Sequence, residues 1–135
     1  MKNPTPDWEI VDDQGFTWLR LGMDRSSIRA ILGPYRTFRR WHAPTETDHF
    51  VETGFLVTYG LDDHASLFEV TTPAAPRLAG VVLLERPLDD VVQELAQAGL
   101  RVTYDMEAKL VGATVHGWLK LYAPGDAVEA VSIGD

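Results

Sequence analysis

The sequence predicts a single α+β domain over residues 1–135, with a mainly antiparallel sheet of about seven strands and two helices. Three observations carry this. Two stretches show an apolar stripe at helical spacing between recognisable helix ends. Much of the remainder is β-branched and aromatic runs bounded by turn residues. Regular strand–helix–strand alternation is absent.

Met1 to Asp7 is polar and proline-containing, and is expected to be flexible. Trp8-Glu9-Ile10-Val11 and Phe16-Thr17-Trp18-Leu19-Arg20-Leu21 alternate in the strand period around Asp12-Asp13-Gln14-Gly15, which predicts a first hairpin. The first helix, about residues 24–33, follows directly. Asp24 suits the N-cap, Met23 can staple onto Ile28, and Ile28, Ile31 and Leu32 are expected to share the buried face. Gly33 then supplies a positive-φ terminus and Pro34 prevents continuation.

Tyr35 to His42 reads as an exposed strand and Ala43 to Asp48 as a polar loop. Phe55–Tyr59 and Leu67–Thr71 form the clearest hairpin, joined through Gly60 to Ala65. Leu78 to Leu84 is apolar on both faces, as in a covered central strand or a short buried segment at a sheet-to-helix junction. The second helix, about residues 87–98, opens on Pro87, carries Asp89 and Asp90 in its first turn, and buries Leu88, Val91, Val92 and Leu95. Gly99 ends it, with Leu100 clamped onto Leu95. Arg101–Tyr104, Trp118–Tyr122 and Val128–Ile133 are the closing strands.

The chain has no cysteine, which excludes disulfide scaffolds, thiol catalysis and Cys-ligated zinc, and no segment approaches the roughly 20 apolar residues of a membrane span. With no signal-peptide pattern at the N-terminus, the cytoplasm is the expected location. No internal repeat is visible. The net charge of −8 is unevenly spread. Arg20 to His42 holds six arginines against one acid, whereas residues 43–135 hold fifteen acids against five bases. That predicts a negative surface around one positive patch, and it disfavours nucleic acid as a partner.

No glycine-rich phosphate loop, dinucleotide fingerprint or Gly-x-Ser-x-Gly is present, so no catalytic residue is assigned and no cofactor is expected. His42, Glu46, Asp48 and His49 offer the nitrogen and oxygen ligands of a metal site, without the spacing of an established metal motif, and a solvated loop is the preferred reading. Asp62, Asp63 and His64 read as favourable turn chemistry, and His116 as a packed or hydrogen-bonded strand histidine. The aromatic and arginine mixture of Tyr35, Arg36, Arg39, Arg40 and Trp41 has the composition of an interaction hot spot.

Leu21-Gly22-Met23, then Ile28-Arg29, then Leu32-Gly33-Pro34 resembles the opening of small uncharacterised bacterial proteins, mainly actinobacterial. Asp48-His49-Phe50, Phe55 to Tyr59 and Gly117 to Tyr122 look like their recurring strands. The same opening resembles outer-membrane assembly lipoproteins of the BamE type, whose lipoprotein signal and cysteine this sequence lacks. In size and style the chain is also similar to immunity proteins of bacterial toxin systems. The absence of catalytic motifs together with the segregated charge points to a non-catalytic protein-binding module, monomeric or homodimeric, and the immunity-type resemblance implies that one form of it is an inhibitor of a basic toxin. The alternative is a ligand-binding or metal-dependent enzyme with a pocket between sheet and helix.

Overall fold

The computed structural model describes residues 7–107 and 110–134. Residues 1–6 of the segment expected to be flexible lie outside them. At Asp7 the carbonyl accepts a hydrogen bond from the Trp18 indole at 2.7 Å.

The α+β reading holds, with more strands than expected. The order is α1 (Arg25–Leu32), β1 (Arg36–Phe38), β2 (Thr47–Phe50), β3 (Phe55–Tyr59), β4 (Ala65–Val70), β5 (Arg77–Leu78), β6 (Val81–Val82), α2 (Leu88–Gln97), β7 (Val102–Glu107), β8 (Leu110–Val115), β9 (Leu119–Tyr122) and β10 (Ala130–Gly134). Eight of these strands form one sheet in the order β1-β2-β3-β4-β10-β9-β8-β7, every pair antiparallel.

This order means that one unit occurs twice. A helix followed by a four-stranded meander runs from α1 to β4 and again from α2 to β10, and the two meanders meet at their last strands. The helices place the same positions against the sheet. Ile28 and Leu32 are buried on α1 as Val91 and Leu95 are on α2, each pair spaced i, i+4. In the sheet, β4 packs Phe68 and Val70 into the core beside Val131 and Ile133 of β10. No sequence repeat announces this, because the two units share burial positions and not residue identities.

Both helices and the segment from Asp7 to Met23 lie on one face of the sheet. Trp8, Phe16 and Trp18 gather around Phe55 of β3, with ring centroids 5.8–6.0 Å from it. The expected first hairpin is therefore corrected. Residues 8–21 make only isolated bridges, Glu9 to Arg77, Asp12 to Gly15 and Gly15 to Arg20. Their alternation records which rings and aliphatic side chains enter the core, not a ladder.

Three further expectations change. Leu78 to Leu84 is not one central strand. Ala79 and Gly80 both take positive φ, 51° and 77°, and fold it into the two-residue turn of the β5–β6 hairpin. The polar loop predicted to reach Asp48 stops at Glu46, because Thr47 and Asp48 begin β2, where both are buried. Ile31 is 43% exposed and so does not share the buried face with Ile28 and Leu32. The strand β8 had no counterpart in the prediction, and β2 was expected only through the resemblance, at Asp48-His49-Phe50.

Gly54 holds the β2–β3 turn with φ of 83°, and a Cβ there would lie 2.2 Å from the Thr71 carbonyl oxygen. Gly22 also has positive φ, 89°, with open space around it. Gly54→Ala is expected to cost more than about 2 kcal/mol, from overlap added to backbone strain, against about 1 kcal/mol for Gly22→Ala from strain alone. Urea unfolding of the two variants measures the difference.

Candidate functional site

Two groups of side chains stand out on the half of the sheet formed by β1 to β4. One is internal. Asp48, on the core face of β2, is fully buried and accepts four hydrogen bonds. Arg29 donates through Nε at 2.8 Å and Nη2 at 3.2 Å, the Thr37 hydroxyl at 2.7 Å, and the Tyr59 hydroxyl at 2.8 Å. Burial pushes the Asp48 carboxyl up, but the bonds from Arg29, Thr37 and Tyr59 together outweigh it and hold the group below its ordinary value of 3.8. Burial, reinforced by the bond to Asp48, drives the Tyr59 phenol strongly upward, so it stays protonated and remains a donor.

Arg25 and Arg29 supply the helix side of this arrangement. Lying four residues apart in phase with Ile28 and Leu32, they face the sheet as part of the buried stripe. The Arg25 guanidinium sits 4.4 Å above the Tyr59 ring and bonds Asp63 at 2.5 Å and Glu46 at 3.2 Å. The Arg29 guanidinium lies 3.9 Å above the Tyr35 ring. Among the described residues, Arg25 Nε is buried without a hydrogen-bond partner.

The second group is external. In β1, Thr37 faces the core side with Asp48, so Arg36 and Phe38 project from the other, outer face. The chain then turns over that face. The Arg40 guanidinium reaches Glu69 on β4 at 2.5 Å, Arg39 donates to the Pro44 carbonyl at 2.9 Å, and the Ala43 amide donates to Arg40 at 2.9 Å. Trp41 at the tip is 89% exposed, its ring 4.8 Å from that of His42.

The interaction patch expected from the sequence is therefore divided. Arg36, Arg39, Arg40 and Trp41 belong to the corner of β1 and the loop after it, whereas Tyr35 lies on the core side between Arg29 and Phe50. Phe38, at 38% exposure under Arg40, belongs to the corner and was missed. The strand alternation that puts it beside Arg36 would have found it. The positive patch is also smaller than six arginines. Arg20 pairs with Asp12, Arg25 with Glu46 and Asp63, Arg29 with Asp48 and Arg40 with Glu69, which leaves Arg36 and Arg39 without a carboxylate partner among the described residues.

The other candidates do not converge. Asp48 is committed to Arg29, Glu46 to Arg25, His49 faces away from Asp48 on the same strand, and His42 sits in the loop at φ of 62°. Among the described residues no three His, Asp or Glu side chains are placed to hold a metal. Asp62 and His64 bond each other's main chain in the β3–β4 turn, where Asp63 has φ of 64°. His116 is corrected: it is exposed at φ of 51° and, with Gly117, forms the β8–β9 turn, so it is not packed in a strand. The core side between α1 and the sheet is filled by Arg25, Arg29, Asp48 and Tyr59. A shallow depression of about 360 Å³ lined by Thr72, Glu85, Ala127, Val128 and Glu129 contains none of the candidate residues.

No family model matches this chain, and comparison with curated proteins and with solved structures gives no match. The site is read from its own geometry. That geometry offers a buried structural carboxylate and an exposed aromatic corner.

Replacing Asp48 by Ala removes the counter-charge of Arg29 and the acceptor of Tyr59, an expected loss of about 3–5 kcal/mol. The folded carboxyl titrates below its ordinary value, so its stabilisation is present above pH 3.8 and is lost as the pH falls through the lower folded value. Urea unfolding at pH 7 and at pH 3 is expected to show a smaller gap between wild type and Asp48→Asn at the acid pH.

Proposed function

We propose that this chain is a non-catalytic protein-binding module whose anchor is Trp41. The observation that carries this reading is an indole 89% exposed at the tip of a loop that is itself tied down. An exposed tryptophan contributes nothing to the core. A rigid one makes a strong anchor, because little conformational freedom is lost when it is buried by a partner.

The neighbouring groups support the same reading. Arg36 and Arg39 carry no ion pair among the described residues and flank an aromatic pair, Phe38 and Trp41. Arginine beside tryptophan is the composition in which interface binding energy concentrates. In the immunity-type form of this module, exposed carboxylates such as Glu52, Glu85, Asp90 and Glu129, which have no ion pair among the described residues, steer the protein toward a basic toxin, and Trp41 supplies the anchor at contact. Such an inhibitor would act in the cytoplasm. Among the described residues no helix is long and apolar enough to cross a membrane.

Trp41→Ala is expected to leave the unfolding midpoint within about 0.5 kcal/mol of wild type, since the side chain is solvent-exposed. Against a partner recovered with the wild-type protein and measured by calorimetry, the same variant should bind at least about tenfold more weakly, and Arg39→Glu should slow association. Undiminished affinity in the Trp41→Ala, Arg39→Glu double variant would refute the assignment of this corner.

A further inference from the structure

The two edges of the eight-stranded sheet are unlike each other. The β1 edge is three residues long and closely follows Pro34. The β7 edge is six residues long and pairs with β8 over six consecutive positions without a bulge, and it contains neither proline nor glycine. Proteins ordinarily protect a long regular edge, because its unpaired main-chain groups are a template for another strand.

The direction of those groups follows from one bond. The His116 amide donates to the Arg101 carbonyl at 2.9 Å, so the main-chain groups of Arg101, Thr103 and Asp105 point toward β8. Those of Val102 and Tyr104 point outward, and among the described residues nothing bonds them. The Tyr104 hydroxyl donates to Asp89 of α2 at 2.7 Å, which holds that side chain on the core face without covering the strand edge.

We infer that β7 is an interface for a second copy of this chain, the two β7 strands pairing antiparallel about a two-fold axis at Thr103. The charges choose this register. An axis at Thr103 sets Val102 opposite the partner strand's Tyr104, so the outward main-chain groups meet, and sets Arg101 opposite Asp105 twice. Among the described residues, Arg101 is exposed with no carboxylate within reach and Asp105 is engaged only by the Thr114 hydroxyl. The facing side chains at 101, 103 and 105 fall in the non-hydrogen-bonded positions of the new ladder, where opposed Cα atoms come within about 4.5 Å. Two identical strands thus present each other with two complementary ion pairs and a Thr–Thr contact. The continuous sheet would have β1 and the Trp41 corner at its two far ends, so this interface stands or falls separately from the proposed anchor.

Sedimentation velocity of the full chain, carried up to about 0.5 mM, detects association as weak as about 1 mM. Wild type is expected to show concentration-dependent dimer. Arg101→Glu and Asp105→Arg each place like charges opposite one another and are expected to weaken dimerisation at least about tenfold, while an equimolar mixture of the two variants restores both ion pairs and recovers a heterodimer at wild-type affinity. Circular dichroism checks that each variant is folded. A wild type that stays monomeric throughout would overturn the inference, as would a dimer indifferent to the single variants or single variants that fail to recover on mixing.

Discussion

The attachment of α1 to the sheet depends on one buried carboxylate. Asp48 collects the guanidinium of a helix residue, a hydroxyl from the neighbouring edge strand and a phenol from the strand on its other side. An ionised carboxylate in the interior is costly when alone, and this one is tolerated because its oxygens are satisfied by four donors. Through it the axial position of α1, the docking of β1 and the orientation of Tyr59 are coupled. Arg25 adds to the same assembly from one turn earlier, stacked on Tyr59 and tied to Glu46 and to Asp63 in the next turn of the sheet.

The repeated unit shows what this arrangement replaces. On α2 the buried stripe is Leu88, Val91, Val92 and Leu95; the same four helical positions on α1 are Arg25, Ile28, Arg29 and Leu32. The sheet changes in step. Asp48 on β2 pairs with Val57 on β3 as Ala113 on β8 pairs with Leu121 on β9, and Tyr59, two residues beyond Val57, corresponds to Ala123, two beyond Leu121. One half of the molecule therefore docks its helix by apolar contact and the other by a charged network at matching positions. Apolar contact is the less demanding solution, since a buried ion pair recovers its desolvation cost only when its geometry is good. It is also less directional. The network fixes the register of α1 against the strands that carry the Trp41 corner, through Thr37 on β1, and so holds that exposed corner in relation to the core.

Much of the fold was legible because helix ends and strand runs are written locally. The caps of α1 and α2 are correct to a residue, with Asp24 accepting from the Ser27 amide and Gly33 at positive φ. The β3–β4 hairpin was equally plain. What local pattern could not separate was core packing from strand pairing. Trp8, Phe16 and Trp18 alternate like a strand because they insert into a cluster on Phe55. Leu78 to Leu84 looks like one buried strand because both arms of a tight hairpin are apolar. The Asp48 centre had a signal that composition concealed: Arg25 and Arg29 sit in phase with Ile28 and Leu32, which marks them as inward-facing, and counting them into a positive surface patch missed it.

That miscount bears on how the surface works. A segment with six arginines suggests a strong positive field, yet four of them are neutralised within the protein by Asp12, Glu46, Asp63, Asp48 and Glu69. The two that remain, Arg36 and Arg39, stand beside exposed aromatic rings on a molecule whose net charge is −8. Over distances beyond about 8–10 Å, where salt screens individual charges, a partner meets the negative whole; only at contact does it meet the local arginines. On the proposed protein-binding reading, long-range attraction and short-range recognition fall to opposite signs. A partner suited to both is positive in its overall field and, at the contact, offers carboxylates around an apolar recess for the indole. That is a stricter requirement than either charge alone would impose, and it selects against polyanions, which satisfy the contact but are repelled by the field.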